Sequence, residues 1–313
     1  MQKLKILTTN VHEAWLTNIC KTGHDFYGLM SHERPNGWKT IERDCPHNWT
    51  EIDCMYEDFA DSEFRKYDIL LINTPQQRVF ANRGKKHSCI RVIEMNHCFP
   101  CYDWDLTQIS WIRENCIANT HVFATKENAS AWMHDGAMIC GHTVDESIFK
   151  PIDGGTRDYV LSVAYDFVER GKILGYDDWK QIVSGIKYIH IGNGENEIIS
   201  TANELANNYY FNACAFINTA ILSPIPTVML EAMACGCPVV SKDNSFIRSI
   251  FNNEENGFIY NNVFQAKKYI EMLLADRDYS SIIGSKSREL YNEKFSTKLF
   301  VDKWNNIFEG EVF

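Results

Sequence analysis

The chain has 313 residues, 45% of them hydrophobic, with a formal net charge of -10 and eleven cysteines. That length and apolar content suffice for two cores, while the acidic balance argues against broad electrostatic attachment to nucleic acid or an anionic membrane. No apolar run approaches membrane-span length, MQKLKILTTN leads straight into a strand without a signal-peptide pattern, and the odd, scattered cysteines read as reduced thiols, so a cytoplasmic protein is expected.

In chain order, Leu4 to Thr8 reads as a strand, Glu13 to Lys21 as a helix closed by Gly23, and His24 to Leu29 as a second strand. Such a strand–helix–strand start predicts a parallel sheet. Residues from about Ser31 to Glu57 are polar, rich in Trp, Cys and Pro, and predict no regular element. Tyr67 to Asn73 and Ile90 to Met95 are continuous apolar runs suited to buried central strands. Between them, Arg83-Gly84-Lys85-Lys86-His87 is the one compact basic cluster, read either as a solvated turn or as a seat for a phosphate-bearing acceptor. A helix near Thr107 to Asn115, a strand at Thr120 to Ala124 and a helix from Lys126 to about Met133 follow.

Asp153-Gly154-Gly155 is a turn cluster without core-forming residues, and the alternation restarts beyond it, which places a boundary after residue 152. Tyr159 to Ala164, Lys187 to Ile191 and Ala215 to Asn218 read as strands, with helices around Tyr176 to Ser184 and Ala202 to Asn212. From Val263 the chain is predicted helical, broken at Asp276, Gly284 and Phe295-Ser296. The expected fold is α/β: two Rossmann-like domains over residues 1–152 and 153–294, facing each other across a cleft, with a terminal helical segment over 295–313. Ligands of open parallel sheets bind beyond the carboxyl ends of the strands. His12, His97 and the segment after Asn218 all fall at such ends.

That last segment, Ile221 to Val240, reads ILSPIPTVMLEAMACGCPVV. A Pro-interrupted loop from Ser223 to Pro226 precedes a short helix from Val228 to Ala234, with Thr227 as its expected N-cap. The exposed amides and positive dipole end of such a helix form a place for a phosphate. Glu231 lies one turn in, within reach of a hydroxyl pair beside that phosphate. The same residues also fit a capped helix–strand unit of any α/β protein, with Glu231 complementing the dipole.

The run LEAMACGCPVV, followed by Asn256-Gly257-Phe258, resembles the donor-site signature of the GT-B glycosyltransferases of the GT4 (group 1) family, and the compact chain resembles forms found in phage genomes. The resemblance implies a retaining transfer of a sugar from a nucleotide-diphosphate donor, most simply a UDP-sugar, without an obligatory metal, and a C-terminal helix over 295–313 that returns to the first domain. It places Glu231 on the ribose diol, Thr227 and Val228 at the diphosphate, and the Gly192-Asn193-Gly194 turn near the nucleobase. The family's first Glu falls on Ser223 and its Gly-Phe-Gly on Pro224-Ile225-Pro226, so Ser223 and Ile225 would line the donor site with fewer amide donors. Arg170 falls where a Lys touches the diphosphate; Tyr165 replaces the usual Arg, with Lys172 as a candidate substitute. A guanidinium there would offset charge growing on the leaving phosphate.

His97 matches the family's N-domain His near the reaction centre; without that context a lone His at a strand end is more often structural. His12 and Glu13 sit on the first strand–helix turn, where they would orient an acceptor hydroxyl or cap the helix. Arg83, Lys85 and Lys86 are the other acceptor candidates; the acceptor is a glycan, a small molecule or, as the resemblance to phage forms implies, a hydroxymethylated DNA base reached by base flipping. Cys98 and Cys101 beside His97 lack a second ligand pair at zinc spacing. Two other readings stay open: a nucleotide-sugar epimerase of the same fold, and a non-catalytic binding protein, which the missing Glu and Arg would suit.

Overall fold

The computed structural model describes residues 2–32, 35–38, 43–74, 77–100, 105–114, 118–134, 136–152, 154–193 and 198–310. Cys101, Asn115, Asp153 and Gly194 lie outside them. The chain divides into two units, Met1–His142 with Lys298–Phe313, and Thr143–Thr297.

The first unit is built on seven strands: β1 (Lys5–Thr9), β2 (Asp25–Met30), β3 (Trp49–Met55), β4 (Ile69–Ile72), β5 (Arg91–Asn96), β6 (Thr120–Phe123) and β7 (Met138–Ile139). They pair in parallel in the order β3-β2-β1-β4-β5-β6-β7. Central β4 is buried at every position, as its apolar run requires. The edge strand β3 alternates weakly and carries polar residues outward, which is why its sequence reads as irregular. It is held by Trp49, whose ring covers Gly28 so closely that a Cβ there would lie 1.8 Å from it.

Helices α1 (Glu13–Ile19), α2 (Arg78–Ser88), α3 (Leu106–Glu114) and α4 (Lys126–Ala131) connect these strands. The basic run at 83–87 is therefore part of α2 and not a turn. Phe80, Ala81 and Gly84 form the buried face of that helix, and a Cβ on Gly84 would meet Phe64 at 3.0 Å.

The second unit carries β8 (Tyr159–Val163), β9 (Tyr188–Ile191), β10 (Ala213–Asn218), β11 (Val239–Lys242) and β12 (Phe258–Tyr260), parallel in the order β12-β11-β10-β8-β9. Its helices are α5 (Gly171–Leu174), α6 (Tyr176–Val183), α7 (Ala202–Glu204, continuing as a π-helical turn Leu205–Tyr210), α8 (Thr227–Ala234), α9 (Ser245–Ile250), α10 (Val263–Ala275) and α11 (Arg277–Phe295). Asp276 separates the last two by capping α11 through its side chain, 2.8 Å from the Tyr279 amide. Gly284 does not break α11. It lets the helix approach the end of α8, where a Cβ would sit 2.0 Å from the Gly236 carbonyl oxygen.

The division falls at His142/Thr143 rather than after residue 152, because the connecting residues pack into the second unit. Thr143 Oγ1 lies 3.0 Å from the Tyr291 hydroxyl, and Phe149 is fully buried beside Tyr210. The final helix, α12 (Thr297–Glu309), packs with the first unit from Lys298 onward. Trp304 meets Trp15 edge-on at 5.6 Å, and Arg91 donates to the Ile307 and Phe308 carbonyls, both at 2.7 Å. Both carbonyls lie in the last turn of the helix, where the Ile307 oxygen also accepts from the Gly310 amide at 3.2 Å, and a guanidinium there suits the dipole.

Candidate functional site

The order of the second sheet reverses between β8 and β10, the place where open α/β sheets bind ligands. A pocket lies there, lined by Ser162 to Ala164 at the end of β8, Phe167, Phe216 to Ala220 at the end of β10, and Ser223, Pro226 and Val228. Phe167 is wedged against His190, stacked at 5.0 Å, and Ser162 Oγ shares a 2.9 Å hydrogen bond with His190 Nδ1. Asn218 Nδ2 donates to Ser241 Oγ at 2.9 Å, which fixes the floor. The pocket thus rests on a hydrogen-bonded polar base with an aromatic wall.

Helix α8 opens at its edge. Pro226, extended at φ -63 and ψ 120, is the N-cap, and Thr227 is the first helical residue, so Thr227 is not the cap that the sequence predicts. The reason is steric: proline's fixed φ suits the residue that turns into the helix, and its carbonyl takes the first amides, Met229 at 3.0 Å and Leu230 at 3.3 Å. The Thr227 and Val228 amides lie ahead of that ladder. Glu231 is buried, 3% exposed, and its Oε2 accepts from the Tyr210 hydroxyl at 3.1 Å. Burial, and then the Glu231 charge, push the Tyr210 phenol well above its usual range, so it stays a donor. Ser223 and Val228 line the pocket, whereas the Ile225 side chain is buried.

Tyr165, Arg170 and Lys172 lie on the segment after β8, Tyr165 and Arg170 exposed and Lys172 in the first turn of α5. Arg170 caps α5 with its backbone, its amide donating to the Asp166 carbonyl at 2.8 Å, and it is not among the pocket's lining residues. Gly192 and Asn193 hold this segment. Gly192 has φ +131 with the Ala164 carbonyl oxygen 1.8 Å from where a Cβ would be, and Asn193 Nδ2 donates to Asp166 Oδ1 at 2.7 Å. Both residues are therefore supports of the loop framing the pocket.

In the first unit, His12 and His97 meet with their rings 5.1 Å apart, beside Trp15 and a third imidazole, His142, stacked on His97 at 5.2 Å. His142 has no motif in the sequence; only its place just before the Thr143 link brings it to the same sheet edge. His12 caps α1 through its carbonyl, which accepts from Trp15 and Leu16, with no side-chain cap bond. Glu13 is buried, 4% exposed, in the first turn of α1. His97 Nε2 and His142 Nδ1 make no hydrogen bond among the described residues, and those residues include no group of three or more metal-ligating side chains.

Burial holds His97 well below its ordinary range and lowers His142 to about 4 from 6.5, with His12 adding to both. Between pH 6.5 and about 4 the unfolded chain binds more protons than the folded one, so stability falls as pH drops through that window. For His142 the expected loss is on the order of 3 kcal/mol. Chemical denaturation at intervals of pH should show it, and His142→Gln should flatten part of the slope; parallel profiles for the two proteins would refute it.

The basic run does not form an open phosphate seat. Arg83 pairs with Asp61 at 2.9 Å and donates to the carbonyls of Glu57 at 2.7 Å and Phe59 at 2.5 Å, so its donors are spent within the fold. Lys85 is partly buried and Lys86 exposed on the same helix. The described cysteines are all free, and burial drives the Cys140 and Cys237 thiols up to about 12, as for inert core residues. Among the described residues no helix is long and apolar enough to cross a membrane.

Two parallel-sheet α/β units of this kind define the GT-B class of fold, and solved structures bear the likeness. The chain matches HepE of Anabaena in complex with UDP and glucose at a TM-score of 0.73, with 12% identity over 98% of this chain and 100% of that one. It matches TarM of S. aureus, solved as a point mutant with fondaparinux, alpha-GlcNAc-glycerol and UDP, at 0.63, with 17% identity over 77% of this chain and 55% of that one. Residues 190–290, which include α8 and Glu231, match the family model of glycosyl transferases group 1. An uncharacterized glycosyltransferase of Haemophilus influenzae is 22% identical over 208 residues, 61% of this chain and 54% of its own, so the chain spans about half the length of that curated relative.

Proposed function

We propose that the protein is a retaining glycosyltransferase of the GT4 (group 1) type, moving a sugar from a UDP-sugar to an acceptor hydroxyl. The observation that carries this reading is the pocket at the reversal of the second sheet, edged by the first turn of α8 within the segment matching the family model. In this reading the Thr227 and Val228 amides take the diphosphate, Glu231 takes the ribose hydroxyls, and Arg170, with Lys172, swings in to offset charge on the departing phosphate. Tyr165 and the Ser223 loop border the sugar. His97, neutral because it is desolvated, offers a hydrogen bond to the transferred sugar, and His12 and Glu13 orient the acceptor. The transition state is oxocarbenium-like, and holding the acceptor hydroxyl on the leaving-group face lowers its entropic cost. No metal is invoked. The free cysteines support a cytoplasmic location.

The pairing of Arg83 within the fold gives no support to a duplex DNA acceptor. A thermal-shift panel of nucleotide sugars tests the reading. At saturating excess the true donor should stabilise by a few kcal/mol, with UDP-sugars standing out. A panel in which no nucleotide sugar shifts the transition would end it, and isomerised donor in the absence of acceptor would turn it into an epimerase.

A further inference from the structure

Helix α7 starts on a reciprocal cap, in which Thr201 Oγ1 accepts from the Glu204 amide at 3.2 Å and Glu204 Oε2 from the Thr201 amide at 2.9 Å. It then widens into the π-helical turn Leu205–Tyr210, of which Leu205, Ala206 and Tyr210 are buried. In an α-helix, at about 100° per residue, positions five apart would point about 140° away from each other. The wider turn, closed by bonds to the fifth residue on, lets Leu205 and Tyr210 both face inward. Its end is fixed by Tyr159 on β8, whose hydroxyl donates to the Tyr209 carbonyl at 2.8 Å. Tyr210 is sunk to 0% exposure, with Phe149 and Phe216 edge-on to its ring at 6.2 and 6.0 Å.

Packing alone would favour phenylalanine there, since a buried hydroxyl costs free energy unless it finds an acceptor. The Tyr210 hydroxyl finds two on α8, Glu231 Oε2 at 3.1 Å and the Val228 carbonyl at 2.9 Å. A phenol has one proton to give. The Val228 carbonyl, in the first turn of α8, also takes the amide four residues on, and a charged acceptor makes the stronger bond. The proton therefore serves the carboxylate. The terminal torsion of a glutamate side chain is broad, so an untethered carboxylate turns about it. Tyr210 pins one oxygen and with it the plane of the group. Each carboxylate oxygen has two acceptor sites, so Oε2 can accept from Tyr210 and from a ligand hydroxyl together.

We propose that Tyr210 is a positioning residue of the donor site, whose hydroxyl aims the Glu231 carboxylate so that it selects a ribonucleotide over a deoxyribonucleotide. That role rests on the assignment of Glu231 to the ribose hydroxyls proposed above. A tethered carboxylate meets both hydroxyls of a ribose, and a 2′-deoxyribose leaves it short of a donor that it cannot turn to replace. An untethered carboxylate re-aims at whichever hydroxyl remains and binds both sugars weakly.

The test measures UDP and 2′-deoxy-UDP binding to the full-length protein by calorimetry. The wild type should favour UDP at least about tenfold, the ratio for one charge-assisted hydrogen bond. Tyr210→Phe should bind UDP about tenfold more weakly and narrow that preference to about threefold or less. In the Glu231→Ala background, where no carboxylate is left to aim, Tyr210→Phe should change neither affinity. That comparison stands even if the single Tyr210→Phe variant does not fold, because removing both partners leaves no buried charge unpaired. A Tyr210→Phe protein that keeps the full preference, a wild type that shows none, or a further loss of UDP affinity in the Glu231→Ala background would each overturn the proposal. A wild type that binds UDP beside a Tyr210→Phe protein with the preference intact sinks the positioning role alone. A wild type that binds no UDP sinks the donor reading with it.

Discussion

Glu231→Ala is expected to lower nucleotide-sugar affinity by about a hundredfold or more while leaving the fold as stable as before, or slightly more so. The affinity estimate follows from two charge-assisted hydrogen bonds to a diol, each worth about 1.5–3 kcal/mol. The stability estimate follows from the carboxylate's surroundings. Glu231 is 3% exposed in α8, and removing a charge from water is costly unless it is well paired. The Tyr210 hydroxyl, one of its partners, loses little on truncation, because it also lies 2.9 Å from the Val228 carbonyl oxygen and keeps that acceptor. A carboxylate retained for a ligand therefore predicts binding lost and stability kept. A carboxylate retained for packing predicts the opposite: a lowered midpoint with nucleotide affinity unchanged. Calorimetric titration of UDP-sugar with parallel urea unfolding separates the two, and the second outcome would remove Glu231 from the donor site.

The sequence displayed the parts of the fold whose burial is written in adjacent residues. The β4 run and the apolar stretch before Asn96 are continuous and central, so their strands were legible from composition alone. β3 was not, because an edge strand buries few of its side chains and depends on a tertiary contact, Trp49 over Gly28. α2 was masked by its charges; only Phe80, Ala81 and Gly84 mark its inner face. Gly284 reads as a helix breaker, yet the nearness of Gly236 makes glycine the residue that lets α11 run on. For the candidate sites the pattern is the same. The α8 segment is contiguous and so announces itself. His142 joins His12 and His97 only through the packing of three strand ends, which no contiguous motif announces.

The largest stability effect is expected from Gly192→Ala, which should lose about 3 kcal/mol or more and weaken donor binding at least about tenfold. Two costs add. At φ +131 an L side chain is strained by about 1–2 kcal/mol, and a Cβ would stand 1.8 Å from the Ala164 carbonyl oxygen, a backbone atom that no rotamer change can move. Overpacking of that kind costs about 1–3 kcal/mol. Relief requires Ala164 to shift, and Ala164 lines the pocket and leads directly to Asp166, whose carbonyl holds the Arg170 amide at 2.8 Å. The damage should thus reach the loop that frames the donor pocket. Gly185→Ala separates the two costs, since Gly185 has φ +80 with nothing within 4 Å of an added Cβ. It should lose only about 1 kcal/mol and leave donor affinity unchanged. Equal losses in the two variants would mean that backbone conformation alone sets the cost, and that the close approach of Gly192 to Ala164 does not hold this loop in place.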